Sequence, residues 1–351
     1  MSSTETLPDK VHLVGSIALD SVEDVFRTAG TLLGRRLKRV PDGEPGGRRL
    51  WISWQYPLLR ANGYLKIDAQ QAPVRAGMFP TLCLGDGVTS AQIRFGELGY
   101  AREARASYQD FLASRGRSEI PAGVRFQVSL PTPMAVIYPF CAPRDHAAIE
   151  PAYEKAMIAE VAALCRAIPH GDLAIQWDVC IEMIVWDGQL AERYPGAGTS
   201  HDEIIARLAR LGAAVPGDVE LGFHLCYGDL DAKHFVEPID SAKMVELANA
   251  LAANVKRPIN FLHMPVPIER SDAAFFKPLA GLALHKGTEL YLGLVHGADG
   301  VEGIRKRVAA ARHYVDGFGI ATECGIARAR TPELVERLLE LHAEGSCEPA
   351  S

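Results

Sequence analysis

Short apolar runs alternate along the chain with longer stretches of helical periodicity, an order that predicts strand, helix, strand, helix from end to end. The apolar runs fall at Val11–Ala18, Leu37–Val40, Val124–Leu130, Leu173–Asp178, Val219–Cys226, Pro258–Met264, Glu289–His296 and Phe318–Cys324. Helical spacing covers Val22–Leu33, Arg49–Asn62, Ala147–Ile168, Asp202–Ala214, Asp240–Asn254, Phe275–Leu284, Val301–Val315 and Thr331–Ala343. Ser200 or His201, Asp240 and Thr331 stand where N-caps are expected, and Pro332 follows Thr331 as a first-turn proline should. Residues 63–122 fit the alternation poorly: apolar pieces such as Pro80–Leu84, a helix over Glu97–Ser114 and polar turns read as an excursion packed on the rest. Residues 188–200 read as a loop and 347–351 as a frayed tail. Eight strands, each followed by a helix, predict an α/β fold of the (β/α)8 TIM-barrel type, 1–351 as one domain with 63–122 inserted after the second strand. A doubly wound open sheet is the alternative, but no G-x-G-x-x-G follows the first strand.

Composition narrows the function classes. The 351 residues suffice for one large barrel, and the formal net charge of -6 argues against a general nucleic-acid surface. No apolar run reaches membrane-spanning length, and Met1–Lys10 lacks a signal-peptide pattern, so a cytoplasmic protein is expected. Seven scattered cysteines, an odd number, do not read as a disulfide framework. Only Cys226 and Cys324 end strands beside other reactive groups, with Cys180 as a third candidate.

Barrel active sites lie at the C-terminal strand ends. Those ends carry Ser16, then Asp42 and Glu44, then Asp178 and Glu182, then His224 and Cys226, then His263, His296, and Glu323 with Cys324. His224 and Cys226, two residues apart on an extended strand, leave on the same face. A thiol beside an imidazole is half of a zinc site, and Cys324 or His263 would add to it. Alternatives stand beside each reading. Cys226 and Cys324 are otherwise buried structural thiols, Asp42 and Glu44 a solvated turn, His296 a core histidine, and Arg270 an ion-pair partner of Asp272. Glu323 alternates with Cys324 and is expected on the opposite face.

These residues resemble the C-terminal catalytic barrel of cobalamin-independent methionine synthase, in the superfamily shared with uroporphyrinogen decarboxylase (UROD/MetE-like). Val14-Gly15-Ser16 resembles the family's Ile-Gly-Ser, which receives the amino-acid carboxylate. Asp42-Gly43-Glu44 resembles a His-Gly-Glu that holds the ammonium, and Ile175-Gln176-Trp177-Asp178 an Ile-Gln-Ile-Asp that shares the task. Phe223-His224-Leu225-Cys226-Tyr227 resembles the His-x-Cys-Tyr zinc pair. Leu294-Val295-His296 resembles the strand with the histidine acid, and Thr322-Glu323-Cys324-Gly325 the Pro-Asp-Cys-Gly of the last zinc thiolate. The resemblance covers most of the chain, least at 63–122.

The departures shape the expectation. Where the family ends strand six in a glutamate ligand, this chain has His263, with Glu269 six residues on. The family's tryptophan for the folate ring has no clean match, Tyr138 being the nearest aromatic, and the N-terminal folate-clamping domain has no counterpart, so a folate donor is not implied. The resemblance implies Zn2+ held by His224, Cys226 and Cys324; His263, in place of the family's glutamate, is expected to complete the site, with Glu269 as the fallback ligand. It implies catalysis by His296 and Asp178, and substrate contacts from Ser16, Asp42, Glu44, Glu182, Tyr138 and Arg270. The expected activity is methyl or alkyl transfer to a thiol with an amino-acid-like acceptor. The expected partners are a small-molecule thiol and an alkyl donor, with homo-oligomerisation left open. The competing reading is a barrel lyase or hydrolase that uses the same carboxylates and histidines on a small organic acid.

Overall fold

The computed structural model describes residues 7–70, 79–189, 200–229 and 233–349. Most of the loop expected at 188–200, and residues 350–351 of the expected tail, lie outside them. The main sheet is parallel and runs β1 (Arg39–Pro41), β4 (Arg125–Pro131), β5 (Leu173–Val179), β6 (Glu220–Leu225), β7 (Phe261–Pro265), β8 (Glu289–Val295), β9 (Gly319–Thr322). A small antiparallel pair, β2 (Leu65–Ile67) and β3 (Leu82–Leu84), stands apart. Helices α1 (Val22–Leu33), α3 (Tyr100–Gly116), α5 (His146–Ala167), α7 (His201–Ala213), α8 (Ala242–Asn254), α10 (Gly300–Arg312) and α11 (Pro332–Glu344) alternate with the strands. The sheet curls into most of a TIM-type barrel. All of β5 is buried, as expected of a strand covered on both faces.

The eighth barrel position differs from the expectation. Val11–Ala18 forms no continuous ladder. It is stitched at its ends by single parallel bridges, Val11 to Leu37 and Ile320, Ser16 to Gly43, and Ile17 to Ile326. In between, its carbonyls turn to side chains: Gln127 Nε2 donates to Leu13 O (3.0 Å), Ser129 Oγ to Val14 O (3.1 Å) and Gln176 Nε2 to Val14 O (2.6 Å). The barrel is thus closed on this side by side-chain amides from β4 and β5. Its floor is closed by Arg39, buried between Glu220 (2.5 Å) and Glu289 (2.9 Å) with its guanidinium over the Phe261 ring. Access therefore comes from the C-terminal ends.

Three expected elements are revised. Arg49–Asn62 is two pieces, a 3-10 turn at Trp51–Gln55 and α2 (Tyr56–Ala61), because Trp51 takes a φ of 54° and ends any helical continuity. Phe275–Leu284 is a short α9 (Ala273–Phe276) and a 3-10 turn, since Pro278 lacks the amide a helix needs. The tail is not frayed at its start: the Cys347 amide bonds Pro8 O at 2.9 Å. Within 63–122, α3 packs on α1 and α5, so the excursion supplies the helix of its own strand–helix unit. Ser200 caps α7 through a capping box with Glu203, and Thr331 caps α11. Ser241, not Asp240, is the N-cap of α8.

Candidate metal centre

His224 lies on the inward face of β6 and Cys226 just beyond its end, where the Cys226 amide still bonds Val179 O at 2.9 Å. Cys324 arrives from the turn after β9. That turn needs Gly325: a Cβ there would meet Ser16 Oγ at 2.3 Å. The Cys226 and Cys324 sulfurs stand 3.8 Å apart, and one ligand atom from each of His224, Cys226 and Cys324 lies within 4.8 Å of the others. A tetrahedral zinc with Zn–S of about 2.3 Å has sulfurs about 3.8 Å apart, so the two thiols already span one tetrahedral edge. His224 is buried and, among the described residues, its Nε2 has no partner, while its Nδ1 is 2.7 Å from Nδ1 of His263. An unsatisfied buried nitrogen is costly unless something meets it. Its bond to Cys226, then burial, raises Cys324 far above the usual thiol range; Cys226 is raised too, by Cys180 and burial against the opposing bond to Cys324; and burial with neighbouring His263 lowers His224. Neutral thiols and a neutral imidazole suit a soft dication, whose charge would ionise the sulfurs. The donor set fits zinc.

His263 is brought to the site differently from the other three. In register with His224 on β7, it meets that imidazole ring to ring and stands outside the mutually close group. Burial lowers it to about 3, so it is neutral. Glu269 lines a cavity of about 480 Å³ that Cys324 also borders, together with Asp229, His234, Arg270 and Glu323.

Glu323 corrects the sequence reading. β9 ends at Thr322, so strand alternation no longer governs the next two residues, and Glu323 faces the same cavity as Cys324. One oxygen is 3.6 Å from His296 Nδ1 and the other 3.5 Å from His234 Nε2. Burial raises Glu323 to about 7. His234, which sequence alone did not single out, is opposed by burial but raised on balance by Glu237 and Glu323. His296 Nε2 lies 3.0 Å from Val266 O, and a carbonyl only accepts, so Nε2 carries the proton and Nδ1 faces Glu323 as a base. Burial, then Arg307, lowers His296 to about 3. Arg328 was also missed. Its Nη2 is 3.4 Å from Cys324 Sγ and 3.1 Å from Asp229 Oδ2. The only sequence signal was a cation four residues beyond a strand-end thiol.

On the other side lie the expected amino-acid contacts. Ser16 is buried between Gly43 and Ile326, whose amide donates to Ser16 O at 2.6 Å. Asp42 is fully engaged within the protein, by Arg48 (2.8 Å), Ser107 (2.7 Å) and the Glu44 amide (2.9 Å). Burial, then the Asp178 charge, raises Glu44 to about 8, and burial raises Asp178 to about 7 against the Gln176 amide that donates to it at 2.8 Å. Glu182 opens α6 (Ile181–Asp187) and is raised by burial to about 7, with Thr132, Glu150 and Arg207 as its neighbours. Tyr138, on α4 (Pro133–Phe140), stacks on His146 at 4.0 Å. Arg270 pairs with Asp272 at 2.8 Å and lies over Phe275, while still bordering the larger cavity.

No family model and no curated protein matches the chain in sequence. Solved structures do match. A B12-independent methionine synthase from Shewanella sp. W3-18-1, in complex with selenomethionine, is similar with a TM-score of 0.59 and 15% identity over 97% of both chains. A Listeria monocytogenes protein provisionally named a vitamin-B12-independent methionine synthase gives 0.55 and 13%, over 97% of this chain and 98% of that one. At these identities the likeness is one of fold alone, an α/β barrel of the same kind. Among the described residues no helix is long and apolar enough to cross a membrane.

Proposed function

We propose that this protein is a zinc-dependent methyl- or alkyltransferase acting on a thiol with an amino-acid-like acceptor. The observation that carries the reading is the buried His224–Cys226–Cys324 group, with its sulfurs 3.8 Å apart and its imidazole Nε2 unpartnered among the described residues. Bound zinc would keep the acceptor sulfur deprotonated at neutral pH yet nucleophilic. Glu44 and Asp178 hold the acceptor ammonium, with Ser16 and its neighbours beside the carboxylate. Asp178 also orients the acceptor for transfer. His296 exchanges a proton at Nδ1 with Glu323, which faces the cavity that admits the alkyl donor. The Shewanella structure's selenomethionine ligand, an amino acid with a methylated chalcogen, is in keeping with this class. Metal analysis of protein purified without chelator, with X-ray absorption, tests the reading. About one zinc per chain with two sulfurs in its shell is expected, and protein free of any stoichiometric metal would defeat it.

His263 is assigned as the partner that orients His224, not as a fourth ligand. His224 Nδ1–H donates to His263 Nδ1 and frees Nε2 for the metal. His263→Ala is then expected to keep a two-sulfur shell while zinc affinity falls about 10–100-fold, as for other outer-shell partners. A light-atom ligand lost from the absorption spectrum of this variant would return His263 to the ligand set.

The carboxyl pair predicts a pH dependence. With Glu44 raised to about 8 and Asp178 to about 7, both hold protons at pH 6 that an ammonium must displace. Acceptor affinity should rise with pH up to about 8, with about one proton released on binding, read by calorimetry in buffers of different ionisation heat. Without ligand the sign reverses for stability. The folded state keeps protons that the unfolded chain has released, so stability falls as pH climbs from the ordinary carboxyl range to about 8.

A further inference from the structure

We propose that Arg328 is the positioning residue that balances charge at the metal centre, its guanidinium offsetting the negative charge that an acceptor thiolate brings to zinc; this rests on the zinc and thiol reading above.

The guanidinium is fixed against a ligand sulfur. Arg328 Nη2 donates to Cys324 Sγ at 3.4 Å and to Asp229 Oδ2 at 3.1 Å, while Nε donates to Asp229 O at 2.5 Å. The side chain is only 11% exposed. The other sulfur takes a neutral donor, the Gly228 amide, 3.3 Å from Cys226 Sγ. The cation therefore stands on one thiol of the pair.

The positive charge there is not used up within the protein. Arg330 Nη1 reaches the same Asp229 Oδ2 at 3.2 Å. Among the described residues no other carboxylate pairs with either arginine, so one unit of positive charge is left beside the sulfurs. The turn is shaped to bring this about. Ala329 lies between the two arginines with a φ of 50°, a left-handed conformation that a residue with a Cβ rarely keeps. Arg330 Nη1 also donates to Arg328 O at 3.0 Å and closes the reversal. Both side chains thus converge on Asp229, and the clamp joins the two cysteine-bearing turns, 226–229 and 324–330.

The change in charge on binding gives the cation its task. Zn2+ that enters in place of two thiol protons leaves the His224–Cys226–Cys324 centre neutral, so loading needs no added counter-charge. An acceptor thiol that enters as thiolate, its proton passing to solvent, makes the centre negative by one. A buried negative charge is costly unless it is paired. Arg328, already bonded to a ligand sulfur, returns the assembly to neutrality and fixes Cys324 from outside the ligand shell.

The test is calorimetry on zinc-loaded wild type, Arg328→Gln, Arg328→Met and Arg328→Lys. Each is titrated with L-homocysteine, which adds a thiolate, and with L-methionine, which brings the same ammonium and carboxylate but a neutral thioether. Zinc content should stay at about one per chain in all four. Homocysteine affinity should fall about 10–100-fold in the two neutral variants, the contribution of one hydrogen bond to a charged group. The lysine variant keeps the charge and should return close to wild type. Methionine affinity should not change, whereas a merely disturbed pocket would weaken both ligands. The methionine substitution covers the case in which glutamine misfolds. Unchanged homocysteine affinity, a parallel loss for methionine, or no rescue by lysine would overturn the charge-balancing role and leave the zinc reading standing. Wild type that takes up no zinc, or zinc-loaded wild type that binds no homocysteine, would overturn both.

Discussion

Cys324→Ala is expected to leave the protein folded and nearly devoid of zinc. The thiol is small, so its loss from the turn after β9 should cost only about 1 kcal/mol of stability, an ordinary value for a point substitution. The effect on the metal is much larger. A protein zinc site is worth about 10–16 kcal/mol shared over its ligands, so one thiolate fewer lowers affinity roughly a hundred- to a thousandfold. Cys226 would be left with its 3.8 Å partner gone, and Arg328 would lose the sulfur 3.4 Å from its Nη2. Plasma emission analysis of protein exchanged against a weak chelator measures the first quantity, and thermal unfolding of the metal-free forms the second. Zinc retained at wild-type affinity would mean that Cys324 is a structural thiol and that the metal, if bound, sits elsewhere.

The second large effect belongs to the proposed ammonium seat. Glu44→Gln and Asp178→Asn keep shape and remove charge, and each should weaken binding of L-homocysteine by about 2–5 kcal/mol, or roughly 30- to several thousandfold. The two should not add, because an ammonium held by one remaining carboxylate is already poorly held. Asp178→Asn keeps an oxygen for the Gln176 amide, so the barrel wall should be undisturbed. The same substitutions should flatten the pH dependence of binding, since they remove the groups that titrate near 7 and 8. Calorimetry across pH 6–9 reads both; affinity and slope unchanged in either variant would take that residue out of the acceptor site.

The parallel order and the chemistry at strand ends were legible because both follow from local pattern. Burial on two faces makes β5 an unbroken apolar run, and period-two geometry puts His224 and Cys226 on one side. What escaped the sequence depended on contacts far apart in it. Val11–Ala18 has the composition of a strand, yet its carbonyls go to Gln127, Ser129 and Gln176, more than 100 positions away. Glu323 was misjudged by extending alternation past Thr322, where the ladder stops. His234 and Arg328 sit in irregular chain, where no periodicity indicates direction. The turn at Trp51 was hidden because nothing in the residue itself announces a left-handed φ. His263 was picked out at a strand end, but its ring-to-ring bond with His224 depends on a cross-strand register that only the folded sheet reveals.

The Gln176 side chain does two jobs with one amide group. Its Nε2 donates to Val14 O, closing the barrel where the ladder is missing, and to Asp178 Oδ1, while Oε1 meets His12 Nε2 at 2.8 Å. For engineering the acceptor range this makes Gln176 a poor place to begin. A change intended to swing Asp178 toward a new substrate would also cut the tie across the seam, and losses in selectivity and in shell integrity would arrive together. Directed libraries would do better to leave the amide that ties Val14 to Asp178 as it is.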